Sequence, residues 1–204
     1  MTTVARVAVL HLRTVAPYRN QGLLMFALLV GVLARNPVGL VPVLALMLTP
    51  LIAAYPFVVA DKAGLETLYA VLPLSRRAVV LGHYAWALVS FLATVTAGAV
   101  PALLLAGAEG TPLGGRTLMT LLTLSWALFC LNIAIQLPLL IRFGYARSSV
   151  LGTNTPVALV MLLFYRLHPT VASVQVWLPL LWVAGAAAVL VSAALASRPR
   201  ALRS

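Results

Sequence analysis

Charge in this chain is confined to short islands, and the apolar runs between them are long enough to cross a lipid bilayer. No water reaches backbone N–H and C=O groups in hydrocarbon, so a spanning segment must pair them internally, as a helix does. A core of about 30 Å takes about 20 helical residues. Composition leaves no soluble alternative: 63% of the 204 residues are hydrophobic and 8% charged, against about a quarter charged in soluble domains. The expected fold is all-α, a single polytopic transmembrane domain over residues 1–204.

Six spans are expected, at about 21–34, 38–60, 78–106, 117–141, 148–167 and 174–196. The first is short: its residues reach only about 21 Å at 1.5 Å each. It must borrow Val15 to Asn20, with Arg19 extending toward the headgroups. Ahead of it, residues 4–20 read as an amphipathic interfacial helix with Val4, Val7, Ala8 and Val15 on the apolar side; a plain extension of span one is the competing reading. Span two carries Pro42, Pro50 and Pro56. Such prolines are tolerated where neighbouring helices, or hydroxyls such as Thr49, satisfy the carbonyls they free.

The net charge of +11 raises the question of nucleic acid. Its basic residues stand singly between apolar runs rather than in an aromatic-interleaved patch, so no nucleic-acid partner is expected. Membrane topology explains them better. With both termini in the cytoplasm, only Arg35, Arg116 and Arg166 of the 14 Lys and Arg residues lie outside, the bias that basic loops impose on orientation.

Several chemistries lack their residues. The single Cys130 allows neither a disulfide framework nor a cysteine metal cluster. The first twenty residues lack the apolar region and small-residue cleavage site of a secretory signal. No GxxxxGK[ST] occurs, so no ATP site of the usual kind is expected in this chain. The three acidic residues, Asp61, Glu66 and Glu109, fall at span ends or in loops, leaving no intramembrane carboxylate for ion coupling. His11, His83 and His168 read as lying in different loops or interfaces, and no G-x-S-x-G occurs, so intramembrane proteolysis is not expected. Energy must come from elsewhere.

The densest charge island, PFVVADKAGLETLYAVLPLSRRAVVLGHY at 56–84, holds two of the three acids and the only lysine, Lys62. Leu65, Leu68, Tyr69 and Leu72 fall at i, i+3, i+4 and i+7, one stripe of a short helix. Pro73 ends it, and Ser75 is placed to cap a helix starting at Arg76. Such a helix could lie in the interface or press into a soluble partner; a plain polar loop is the alternative.

This stretch resembles the loop after the second span of ABC-2-type transporter permeases, in particular the compact six-helix permeases that work with a separate ATPase. The pattern there, acidic–Lys–x–Gly, then Leu-Tyr, then Leu-Pro-x-Ser-Arg, is met by Asp61, Lys62, Gly64, Leu68, Tyr69, Leu72, Pro73, Ser75 and Arg76. LPLLIRFGYARSSV at 137–150 resembles the family's next cytoplasmic loop, with Arg142, Phe143, Gly144, Tyr145 and Arg147.

The resemblance implies a permease subunit in the inner (plasma) membrane, forming a dimer with a second copy or a related permease. ATP and Mg would sit on the partner ATPase, and this chain would bind no cofactor. Leu65, Leu68, Tyr69 and Leu72 would fill the ATPase's groove, with Asp61, Glu66, Arg76 and Arg77 setting register. In the family, spans two and five flank the central pathway, which makes Thr49, Tyr55, Thr153, Asn154 and Thr155 candidate path residues. Asn132 and Gln136, like these, could line a conduit or act as interhelical hydrogen-bond glue. The rival functional readings are a stand-alone membrane immunity or partner-binding protein and an intramembrane enzyme.

Overall fold

The computed structural model describes residues 3–63, 75–110, 113–167 and 175–197. Its regular elements are all helical. In chain order they are α1 (Thr3–Val15), a 3-10 turn (Ala16–Tyr18), α2 (Arg19–Val32), α3 (Pro37–Ala63), α4 (Arg76–Ala108), α5 (Gly115–Phe143), α6 (Tyr145–Leu167) and α7 (Leu178–Ala196). Four of them, α3, α4, α5 and α7, are long and apolar enough to cross a membrane. The 23 residues of α6 extend about 34 Å at 1.5 Å each, whereas α2 has only 14.

Several boundaries differ from the expected ones: α1 ends at Val15 rather than 20, α2 runs from Arg19 to Val32 rather than over 21–34, and α7 starts at Leu178 rather than 174. Two further differences bear on the site. Asp61 and Lys62, expected in a loop, belong to the last turn of α3, which ends at Ala63. The second motif is no loop either: α5 runs through Arg142 and Phe143, Gly144 alone makes the corner, and α6 starts at Tyr145 rather than 148.

Helix α3 is the centre of the bundle. Leu40, Val41, Leu44 and Ala45 are fully buried, and the helix packs on both α4 and α5. The close approach to α4 needs Gly98, where an added Cβ would stand 2.5 Å from Leu44 Cδ1. On the far side of α5, a Cβ added to Gly185 of α7 would meet Trp126 Nε1 and Cys130 Sγ less tightly, at 3.0 and 3.1 Å. The outer face of α7 turns Leu180, Val183, Leu190 and Val191 outward. Pair by pair, Ile52 faces Trp86 and Leu44 faces Gly98, so α3 and α4 are antiparallel. Leu46 and Pro50 face Asn132 and Gln136, and Thr123 and Ala134 face Trp182 and Ser192. Helices α3, α5 and α7 therefore run the same way, and α6 carries the chain back between the last two.

Prolines explain much of the polar pairing inside the bundle. A helical N–H donates to the carbonyl four residues earlier, so a proline orphans that carbonyl, at a cost that is severe away from water. Pro50 orphans Leu46 O, which accepts from Asn132 Nδ2 at 3.3 Å. Pro56 orphans Ile52 O, which accepts from Trp86 Nε1 at 3.3 Å. Pro138 of α5 orphans Ala134 O, which accepts from Ser192 Oγ at 2.9 Å. That bond uses the Ser192 proton, so Tyr84, 2.6 Å away, donates its hydroxyl to Ser192 Oγ. The sequence anticipates neighbouring helices or Thr49 in this role. Neighbouring helices take all three carbonyls, and the Thr49 hydroxyl takes none.

This pairing makes Ser192 and Pro138 interdependent. Ser192→Ala should lower stability by roughly 1–3 kcal/mol, the usual cost of stranding a buried polar group. Pro138→Ala in the same chain restores a backbone donor to Ala134 O and should recover part of the loss. Thermal melting of the two single variants and the double variant in detergent measures the coupling, and strict additivity would refute the pairing.

Candidate functional site

The site lies where α3 ends, α4 begins and α5 turns into α6. At the start of α4, Ser75 has extended backbone angles (φ −67, ψ 136), and its Oγ accepts from the Ala78 N–H at 3.3 Å. The helix thus starts at Arg76, where the sequence places it. At the end of α5, the Gly144 N–H donates to Leu140 O at 3.0 Å. Gly144 then adopts φ 73, ψ 172, a region essentially closed to residues with a Cβ. That one residue reverses the chain into α6.

A helix start leaves unpaired N–H donors and a partial positive charge, both of which favour a nearby carboxylate. Here the carboxylate comes from another helix: Asp61 Oδ2 accepts from the Ala146 N–H at 2.8 Å. Its Oδ1 would lie 3.6 Å from a Cβ placed on Gly144. Asp61, expected at an ATPase contact, is thus engaged within its own chain, joining the first motif to the second. Ser148, buried one turn on, donates from Oγ to the Gly144 carbonyl. Around this junction Lys62, Arg77, Arg142, Phe143 and Arg147 are exposed and Tyr145 half-buried. Gly64, Leu65, Glu66, Leu68, Tyr69, Leu72 and Pro73 lie outside the described residues, as does the Arg76 side chain.

A second feature of this end escapes the sequence reading. His11 and His83, read as lying in different loops or interfaces, stack with ring centroids 4.4 Å apart, and Phe57 stacks on His83 at 4.3 Å. The three rings join α1, α4 and α3. His11 is only 1% exposed, and burial pushes its pKa down to about 4. A signal for this was present: His11 falls seven residues after Val4 and four before Val15, on the stripe that gives α1 its apolar side.

The candidate path residues are dispersed. Thr49 is fully buried within the chain. The Tyr55 hydroxyl donates to Gln21 Oε1 at 3.3 Å, joining α3 to α2. Thr155 is exposed on α6, and the side chains of Thr153 and Asn154 lie outside the described residues. Asn132 and Gln136 serve as glue, donating to Leu46 O and Pro50 O at 3.3 and 3.4 Å. Trp126 and Trp182 stack at 4.8 Å, and Trp182 Nε1 donates to Thr123 Oγ1 at 2.9 Å. Both are packing aromatics.

Apolar helices of bilayer length, with polar side chains spent on holding one another, define a polytopic helical membrane protein. Within that class the chain belongs to the ABC-2 transporter family: the family model described as ABC-2 family transporter protein matches residues 16–197. No curated protein and no solved structure matches the chain. It is a membrane domain of the permease type, and permeases of this family are generally non-catalytic subunits that pair with an ATPase subunit.

The Gly144 corner and the Asp61 cap can be separated by substitution. Gly144→Ala should cost on the order of 1–3 kcal/mol through its backbone angles. Asp61→Leu should speed hydrogen exchange at the Ala146 amide, while Asp61→Asn, which keeps an acceptor oxygen, should leave it near native. Unchanged protection in Asp61→Leu would mean that the cap does not hold the corner.

The histidine stack should make α1 docking pH-dependent. Docked His11 resists protonation down to about 4, whereas an undocked imidazole titrates near 6.5. Docking is thus fully favoured above about 6.5 and weakens below it as the undocked state takes up a proton, being lost as pH falls through about 4. Spin labels on Leu12→Cys and Leu81→Cys, both exposed positions, should report a fixed distance at pH 7.5 and a broad one at pH 4.

Proposed function

We propose that the chain is the permease subunit of an ABC exporter, moving an amphipathic cargo such as a peptide, antibiotic or lipid-like molecule outward. The work comes from ATP hydrolysed with Mg on a cytoplasmic partner. Two permeases, identical or related, form the pathway in the plasma membrane, each crossing it six times with both termini inside. α1 lies in the cytoplasmic interface, and residues 61–77 receive the ATPase, with the Leu65, Leu68, Tyr69 and Leu72 stripe in the partner's groove.

The observation that carries this reading is the Asp61–Ala146 hydrogen bond. Through it, the helix entering the first cytoplasmic segment holds the start of α6, so that both family motifs meet at one end of the bundle. The exposed Lys62, Arg77, Arg142 and Arg147 cluster at that end. A force applied to residues 64–75 then reaches α3 and α4 directly and α6 through the carboxylate. Nucleotide-driven closure of the ATPases would rock α3 and α6 together, the helices that carry the path candidates, Thr49 and Tyr55 on α3 and Thr153, Asn154 and Thr155 on α6.

The test is Leu68→Asp with Tyr69→Ala, made in the permease co-expressed with its ATPase. Loss of an anchor worth about 1.4 kcal/mol weakens binding about tenfold. The ATPase should therefore fail to co-purify and export should fall by about that factor or more. Retained co-purification together with undiminished export would overturn the coupling role. A chain that protects cells without any ATPase would instead be a stand-alone immunity protein.

A further inference from the structure

Three buried polar oxygens sit where α3 and α5 cross and are used by none of the pairing described so far. Asn132 and Gln136 are each 1% exposed and Thr49 is fully buried. Asn132 Oδ1, Gln136 Oε1 and Thr49 Oγ1 have no hydrogen-bond partner among the described residues. Their register places them together. Asn132 reaches Leu46 O and Gln136 reaches Pro50 O, so the two carboxamides stand one turn apart on α5 opposite one turn of α3. Thr49 belongs to that same turn.

Neither carboxamide can solve the problem by flipping. Each spends an N–H on a backbone carbonyl of α3. Turning either amide over would set oxygen against carbonyl oxygen and, for Asn132, re-orphan the carbonyl that Pro50 frees. The oxygens therefore stay in the seam and both need donors. Thr49 has only one proton to offer, so one amide oxygen remains unsatisfied whichever way the hydroxyl points.

We propose that this seam is a binding site for one water molecule, held by Thr49, Asn132 and Gln136. The stoichiometry closes: the water donates one proton to Asn132 Oδ1 and the other to Gln136 Oε1, and accepts from the Thr49 hydroxyl. Three hydrogen bonds are the usual complement of a buried water. A cation would also find oxygens here, but all three are neutral. The one carboxylate of α3, Asp61, lies three turns along at the helix end, bonded to Ala146. An ion in the seam would shed its hydration without a counter-charge. The water also lies at the level of Pro50, so the site hydrates a turn of the central helix that lacks a backbone hydrogen bond. The water site is independent of the direction of transport, the cargo and the ATPase.

The sequence contains four Asn and three Gln, so water-edited solid-state NMR on the full-length chain, labelled with 15N at Asn, Gln and Trp in lipid bilayers, is well resolved. Through-space contacts to Leu46 and Pro50 assign the Asn132 and Gln136 side-chain signals without any substitution. Both should gain magnetisation from water about as fast as exposed Asn36, and several-fold faster than the buried Trp86 indole bonded to Ile52 O. Thr49→Val, which removes the water's donor without changing shape, should slow the transfer several-fold. Transfer as slow as that of Trp86 would overturn the proposal. So would a carboxamide shift or a rise in melting temperature on replacing choline chloride with sodium or potassium chloride, because the seam would then hold a cation.

Discussion

The need to give three proline-freed carbonyls a donor organises the interior of this bundle. Leu46 O, Ile52 O and Ala134 O each lose their helical partner to Pro50, Pro56 and Pro138, and in hydrocarbon no solvent can replace it. Each is met by a side chain from a different helix: Asn132 from α5, Trp86 from α4 and Ser192 from α7. The same bonds that repair the helices therefore set which helices are neighbours and at what height. Van der Waals packing alone would leave helix rotation and register weakly specified, since lipid tails are as apolar as leucine. Proline-freed carbonyls and the polar residues that answer them make the arrangement specific.

A second consequence concerns movement. A helix broken at Pro50 and Pro56 is a poor rigid rod, yet α3 is the element on which α4 and α5 both pack. Its proline positions are braced from the side rather than along its own axis. At its far end the brace is Asp61, which extends past the end of α5 to hold the first turn of α6. A displacement of that end of α3 must carry α6 with it or break a charge-assisted hydrogen bond. On the same end, the ring stack of His11, His83 and Phe57 attaches α1 to the α3–α4 pair. Among the described residues, this end of the bundle therefore ties α1, α3, α4 and α6 together through side chains.

The presence of α3, α4, α5 and α7, though not their ends, was legible because period and hydropathy act locally: a run of apolar residues long enough to span must be helical. The start of α4 was legible for the same reason, since Ser75 caps through its own backbone neighbours. Less legible were residues whose partner is distant in sequence. Asp61 and Ala146 are 85 positions apart, and nothing in either segment marks one as the cap of the other. Asn132 and Gln136 could equally have faced a pathway; only the position of α3 beside them assigns their amide protons to Leu46 and Pro50. Thr49 looked like a repair group for its own helix, and packing gave that task to others.

Composition, apolar run length and the two loop motifs by themselves determined an all-helical membrane chain of the ABC-2 family, because burial in lipid permits little else and the motifs are contiguous. Tertiary structure alone decided that the two motifs share one junction, that two histidines meet, and that three buried oxygens on α3 and α5 find no partner among the described residues. Those outcomes depend on helix rotation and height. Both are set by long-range hydrogen bonds whose partners lie tens of residues apart, beyond the reach of any local pattern.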